Sequence, residues 1–170
     1  DEMVIEISDD AILKGLDVKA SALTVTAGKK ARVESATVMA DNLSINTNNS
    51  AYVRVDQECK FVSLQVNSTS DVSVSGRCET LDVTALNSAK LRLEGSAVTL
   101  NLKAGCREIH ADGLSVNDAA VTGSNACKAE LNVSDNLSLD LKGGCQIVFA
   151  GKPVIDIVNI QNSSVSHSQL

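Results

Sequence analysis

The stretch Leu81-Asp82-Val83-Thr84-Ala85-Leu86-Asn87-Ser88-Ala89-Lys90-Leu91-Arg92-Leu93-Glu94-Gly95 holds one complete unit of a repeat. It opens on an aliphatic–polar–aliphatic triplet, turns at Asn87-Ser88, alternates again from Ala89 to Leu93 and closes on Gly95. Period-2 alternation sends Leu81 and Val83 to one side of a strand and Asp82 to the other. Asn and Ser turn a chain readily, through side-chain hydrogen bonds to the backbone or a positive φ. The unit reads strand, turn, strand, corner.

Outward from this unit the opening triplet recurs along the whole chain. Its copies are Ile5/Ile7, Leu23/Val25, Leu43/Ile45, Leu64/Val66, Leu81/Val83, Leu100/Leu102, Ala119/Val121, Leu137/Leu139 and Ile155/Ile157, at intervals of 17 to 21 residues. The residue between each pair is polar in every copy except Ala120. A fixed period with a fixed internal register marks a solenoid. Second strands follow, clearest at 31–33, 51–55, 71–74 and 89–93, and less regular at 106–109, 126–131 and 145–149. Asn-, Ser- and Gly-rich turns separate the two strands, and corners fall near Gly76, Gly95, Gly113 and Gly151.

These features predict an all-β fold: a right-handed, single-stranded parallel β-helix of about nine coils with a period near 19 residues, forming one domain over 1–170. At strand spacing the rod would be roughly 40 Å long. A left-handed hexapeptide helix needs an aliphatic residue every sixth position, but that position holds Lys29, Asn49, Ser70, Asn87 and Gly143 among others. Parallel crossovers are overwhelmingly right-handed. No 3.6-residue period competes and no capped helix is visible.

Composition agrees. Three aromatic residues (Tyr52, Phe61, Phe149) and no Trp leave a core of Leu, Val, Ile and Ala in thin layers. Net charge is −6, with no basic run longer than Lys29-Lys30, which argues against nucleic acid as a partner. No apolar stretch approaches the ~20 residues of a membrane-spanning helix. The chain starts at Asp1, as a processed secreted protein or a trimmed chain would.

The unit at 81–95 resembles a repeat of the bacterial head GIN domain, the auto-transporter adhesin family of Bacteroidetes. The closing segment 137–153, with Gly143-Gly144, Phe149, Gly151 and Pro153, looks like that family's final coil. The likeness is clear over 64–165 and poor over 1–60. Gly-Ser-Gly turns of the family stand here as Ser68-Thr69-Ser70, Leu86-Asn87-Ser88, Gly105-Cys106 and Gly143-Gly144-Cys145. Phe149 is one place displaced from the family's usual Tyr. The resemblance implies a secreted, periplasmic or outer-surface β-helix, with no enzymatic activity and no cofactor attached to it.

Five cysteines offer the most distinctive chemistry. Cys59 and Cys78 lie one period apart, vertical neighbours in a solenoid and within reach of a disulfide. Cys106, Cys127 and Cys145 occupy similar slots after the turns, where Ala51, Ser70 and Ala89 stand in other units. The competing readings are small buried residues, a disulfide staple or a soft-metal ladder; no Cys-x-x-Cys or His-x-x-His grammar supports zinc. His110, with Glu108 and Asp112, reads as an exposed strand histidine more readily than as an acid–base group. His167 reads as a solvated member of a polar tail over 163–170.

No catalytic or metal site emerges. A glycosidase would need two converging carboxylates, for which Asp71 with Glu94 or Asp112 with Glu130 are the candidates. No Thr-x-Thr ladder suggests an ice-binding face, and no Gly-x-Ser-x-Gly elbow a nucleophile. Asn-x-Ser/Thr triplets at Asn42, Asn48, Asn67, Asn132, Asn136 and Asn162 read as turn chemistry. The expected function is a surface-acting interaction module binding an extracellular protein or glycan, with Lys90 and Arg92 as contact residues and a small homo-oligomer allowed. The rivals are an end-to-end scaffold like the bactofilins and a polysaccharide-acting enzyme. Asp1, Glu2, Asp9 and Asp10 at one end and the polar tail at the other are expected to keep the open strand edges from stacking.

Overall fold

The opening strands of successive units lie against one another one coil apart, and every strand pairing is parallel. The computed structural model describes residues 1–168, with only the backbone at Arg107; Gln169 and Leu170 of the predicted tail lie outside the described residues. The elements are β1 (Glu2–Ile7), β2 (Ile12–Lys14), β3 (Asp17–Ala27), β4 (Arg32–Thr47), β5 (Tyr52–Val66), β6 (Asp71–Gly123), β7 (Lys128–Lys142), β8 (Gln146–Ala150), β9 (Val154–Gln161) and β10 (Ser164–His167). They form one hydrogen-bonded network, and the described residues contain no helix. The fold is a β-solenoid of about nine turns with a period near 19 residues.

The register corrects two of the triplets. Leu43 pairs with Val62 and Ile45 with Leu64, so the fourth unit begins at Val62 and not at Leu64. Met3 pairs with Leu23 and Ile5 with Val25, which moves the first unit back by two positions as well. A slip of two leaves every side chain on its own face, so alternation alone could not choose between the registers. With the register corrected, the coils measured at the opening triplets shorten toward the C-terminal end, although Ile109↔Ala129 on the second strands spans a coil as long as the first ones. The pairs Met3↔Leu23 and Leu23↔Leu43 mark the longest coils, Leu43↔Val62 and Val62↔Leu81 an intermediate length, and Ala119↔Leu137 and Leu137↔Ile155 the shortest.

Inward residues of both strands make one continuous core, from Val18 and Leu23 to Ile147 and Phe149. Burying each such Leu, Val or Ile contributes about 1.5–3 kcal/mol. Phe149 is the aromatic member of this core, while Phe61 is half exposed. Within β6 two corners depend on glycine. A Cβ at Gly76 would lie 1.8 Å from the Gln57 carbonyl oxygen, and one at Gly95 would lie 1.9 Å from that of Gly76. With φ of 124° and 109°, both glycines let the chain bend while staying paired, so β6 runs unbroken for 53 residues.

The two ends differ from the expectation of polar caps. In β9, Val154, Ile155, Ile157 and Val158 are 42–71% exposed, although Ile155 and Ile157 pair with the fully buried Leu137 and Leu139. Met3 and Val4 of β1 are likewise exposed. A terminal layer has a neighbour on one side only, so the same inward pattern that buries a residue mid-rod leaves it open here. The tail is no free coil either: Ser164–His167 pairs with β8 in parallel. His167 Nε2 lies 2.8 Å from the Gly151 carbonyl oxygen, and its ring meets Phe149 at 5.1 Å.

Asn48, Asn67 and Asn162 do sit at turns, but Asn42, Asn132 and Asn136 lie within strands. Asn136 donates to Asp118 one coil below (2.6 Å), as Asn101 donates to Asp82 (2.7 Å) and Asn159 to Asp140 (3.2 Å). Outward Asn–Asp pairs therefore bind coil to coil, and at Asn136 one does so where its triplet suggested a turn.

Candidate functional site

The second strands present a ladder of outward side chains. Tyr52 donates its N–H to the Ala31 carbonyl, Asp71 to that of Ala51 and Lys90 to that of Ser70, each at 2.9 Å. Those bonds line up Arg32, Tyr52, Asp71 and Lys90 across successive coils. Arg54, Ser73 and Arg92, two positions further along each strand, share the same face because of the two-residue pleat. The Arg32 guanidinium sits 4.4 Å from the Tyr52 ring centroid and that of Arg54 5.6 Å from it, so the aromatic is flanked by cations. Next to it Tyr52, Arg54, Asp71, Lys90, Arg92 and His110 line an open groove of about 300 Å³. The two contact residues expected from sequence, Lys90 and Arg92, thus meet in one place. Arg92 reaches Glu94 at 3.7 Å; Arg54 and Lys90 have no ion-pair partner among the described residues.

At the groove's edge His110 is less exposed than its sequence context suggested. Its Nε2 lies 3.0 Å from Glu108 Oε1 on the same strand, and its Nδ1 lies 3.0 Å from Glu130 Oε2 one coil on. Both nitrogens can donate only when the ring carries both protons. The Glu108 bond is the main influence raising the His110 pKa, and Glu130 adds to it against the opposing effect of partial burial. The imidazole in turn lowers the pKa of both carboxyls, with Lys128 also acting on Glu130 at 3.4 Å. The partner Glu130 was invisible as a neighbour of His110 until the register placed them side by side.

The structure brings Asp112 and Glu130 together with His110, their ligand atoms all within 4.8 Å. It does not join Asp71 to Glu94: the first lines the groove, and the second lies against Arg92. A general acid needs a carboxyl held protonated near neutral pH. Glu108 and Glu130 are both pushed the other way, toward the anion. The cluster is built as a charge network.

Cys59 and Cys78 lie on a different side, at the floor of a larger open groove of about 770 Å³ together with Ala20 and Ala40. The pairings Glu58↔Arg77 and Phe61↔Thr80 make them neighbours on adjacent coils. Both are thiols in the structure. Burial pushes the Cys78 thiol up to about 11, helped by repulsion from Cys59, and burial raises Cys59 as well. Charges of both signs wall this groove, Lys19, Lys60 and Arg77 among Asp41, Glu58 and Glu79, with Lys60 paired to Asp41 at 2.7 Å, so neither sign is gathered there. Cys106, Cys127 and Cys145 are fully buried, in keeping with small core residues.

Among the described residues no helix is long and apolar enough to cross a membrane. No curated protein and no solved structure matches the chain. A family model does match, over residues 4–153, and so takes in the N-terminal coils where the sequence likeness was poor. Its description is "Putative auto-transporter adhesin, head GIN domain", and a match of that extent, on a solenoid of this period, makes the chain a member of that family.

Proposed function

We propose that this protein is a non-enzymatic interaction module of the cell exterior or envelope, and that it binds through the Tyr52–Arg92 face. Family membership supports an extracellular or surface setting and an adhesive role. The observation that carries the reading is the grouping of Arg54, Lys90 and Arg92 with Tyr52 along one groove, outnumbering Asp71 and Glu108 in its lining, with Arg32 (paired with Glu34) also against the Tyr52 ring, on a chain of net charge −6. Cations gathered against the overall charge favour a ligand bearing carboxylates or sulfates, either an acidic glycan or an acidic segment of an extracellular protein. Each Arg offers a planar fork to an oxyanion, and Lys90 adds a mobile point charge beside it.

The test is a binding screen against uronate-containing and sulfated glycans and against matrix proteins, using the intact chain and Lys90→Glu/Arg92→Glu. Binding by the native chain that falls at least about tenfold in the variant, with a steep salt dependence, supports the reading. Equal binding by both would remove the groove from it, and no acidic ligand at all would remove the ligand class.

The scaffold reading draws on the open apolar layers at β1 and β9. Sedimentation over a concentration range separates the two: filaments favour the scaffold, a fixed small species the module. A polysaccharide-acting enzyme is the weakest of the three: of its candidate pairs, Asp71 and Glu94 do not share a groove, and Glu130 beside Asp112 is bonded to His110 and Lys128 and so drawn toward the anion.

A further inference from the structure

We propose that Cys127 and Cys145 join in a disulfide when the chain folds under oxidising conditions, stapling two consecutive coils near the C-terminal end. Their sulfur atoms lie 2.7 Å apart, well inside the van der Waals separation of two sulfurs. Gln146 donates its N–H to the Cys127 carbonyl at 2.8 Å, which sets the two cysteines beside each other on adjacent rungs. Adjacent strands are about 4.8 Å apart, within the Cα range a disulfide accepts.

Two further features distinguish this pair from Cys59 and Cys78. Cys59 and Cys78 sit inside β5 and β6, where the regular pleat carries neighbouring side chains in parallel. Cys127 and Cys145 instead stand just before β7 and β8, each after two residues of positive φ, Asn125-Ala126 and Gly143-Gly144. Those turns free the two Cβ directions to converge. The second feature is Gly123, whose φ is ordinary: a Cβ there would fall 2.9 Å from both the Cys127 and the Cys145 sulfur. Glycine at that place keeps room for the sulfur pair and for Leu141, whose Cδ2 would lie 2.8 Å from the same Cβ.

Both thiols are completely buried, so the bond forms before the coils close over them. The oxidant is a low-molecular-weight or enzymatic disulfide met by the folding chain. One cysteine thiolate attacks that disulfide, forms a mixed disulfide and displaces one thiolate. The other cysteine thiolate then attacks the protein-side sulfur and displaces the second. Two cysteine protons pass to the two released thiolates, and the external disulfide takes up the two electrons.

The location gives the bond its use. β8 carries β10, and β7 carries β9, the strand whose apolar residues lie open. Solenoid ends are where coils peel away first, because they have one neighbour instead of two. A staple between the coils at 127 and 145 blocks that peeling one layer in from the edge.

The experiment is a non-reduced tryptic map of the intact chain refolded with a reduced/oxidised glutathione couple and alkylated under denaturing conditions. Every cysteine falls in a different tryptic peptide, with Cys127 in 108–128 and Cys145 in 143–170. A linked 108–128/143–170 species is the expected result. Alkylated Cys127 and Cys145, or either one linked elsewhere, would overturn the proposal. A second reading is thermal: reductant should lower the midpoint of the oxidised chain by roughly 6–12 °C more than it lowers that of Cys145→Ala. A reductant shift of equal size in Cys145→Ala would also contradict it. The glycan screen above is independent of this bond, so either idea can fail alone.

Discussion

The middle of the rod and its two ends carry the same sequence pattern and meet opposite fates. Leu100 and Leu137, in the middle and next to last layers, are fully buried, whereas Ile155 and Ile157, at matching positions in the last coil, are 42% and 58% exposed. Nothing in their local sequence accounts for this. What differs is the number of layers in contact, two in the interior and one at an end. Side-chain burial in a solenoid is therefore set by position in the stack, and stability should be graded along the rod.

The sharpest way to break this comparison is to substitute equivalent positions. Leu102→Ala should cost about 2–5 kcal/mol, with a lowered denaturant midpoint, while Ile157→Ala at the same column should cost under about 1 kcal/mol. Similar losses at both would contradict a graded stack. Gly95→Ala comes next, at roughly 3 kcal/mol, because its Cβ has no room beside the Gly76 carbonyl and φ is 109°. Gly15→Ala, with φ of 63° but nothing within 4 Å, should cost about 1 kcal/mol by chemical denaturation.

Ser70 offers a change of the opposite sign. It is completely buried in a column with Ala51 and Ala89, and its hydroxyl has no hydrogen-bond partner. Ser70→Ala should stabilise the chain by about 1 kcal/mol, and a lowered melting temperature would show that the hydroxyl is satisfied after all. The same peptide map that tests Cys127 and Cys145 also reads whether Cys59 and Cys78 link under oxidation, which we propose as a weaker second pairing on the strength of their adjacency.

The smallest expected effect belongs to the His110 network. His110 has a raised pKa, so its contribution is fully present below the unfolded value near 6.5 and is lost as pH rises through the folded pKa. Glu108 and Glu130 have lowered values, so theirs is present above the unfolded value near 4.5 and lost as pH falls through the folded ones. The network is strongest between about pH 4.5 and 6.5. His110→Ala should cost about 0.5–1 kcal/mol near pH 5.5 and less at pH 8.5, measured by denaturation at each pH. A loss that does not change with pH would mean that the ring acts by packing alone.

Much of the architecture was legible because parallel stacking imposes a column on the sequence. The strand–turn–strand unit, the period and the inward faces all follow from alternation and turn residues. Alternation repeats at every second position, however, and so could not separate Val62/Leu64 from Leu64/Val66. Nor does a repeat announce its own ends, which is why the open layer at β9 and the pairing of β10 went unseen. Neighbours one coil apart, such as His110 with Glu130, become readable only once the register is known to the residue. The cysteines show the same limit: both pairs are spaced by one coil, yet one lies in regular strands and the other at converging turns. Lys90 and Arg92 could be named as outward from the pattern, but Tyr52 and Arg54 joined them only through the stacking of coils.

A solenoid requires its coils to rise one strand spacing at a time. Spin labels carried on a genetically encoded ketone residue avoid the native cysteines and can be placed at the outward positions Thr24, Asn101 and Asp156. Thr24 to Asn101 spans four coils, roughly 19 Å, and Thr24 to Asp156 spans seven, roughly 34 Å. Pulsed dipolar spectroscopy should therefore find the second distance longer by about 14 Å. Two distances equal to within a few ångströms would contradict the stack.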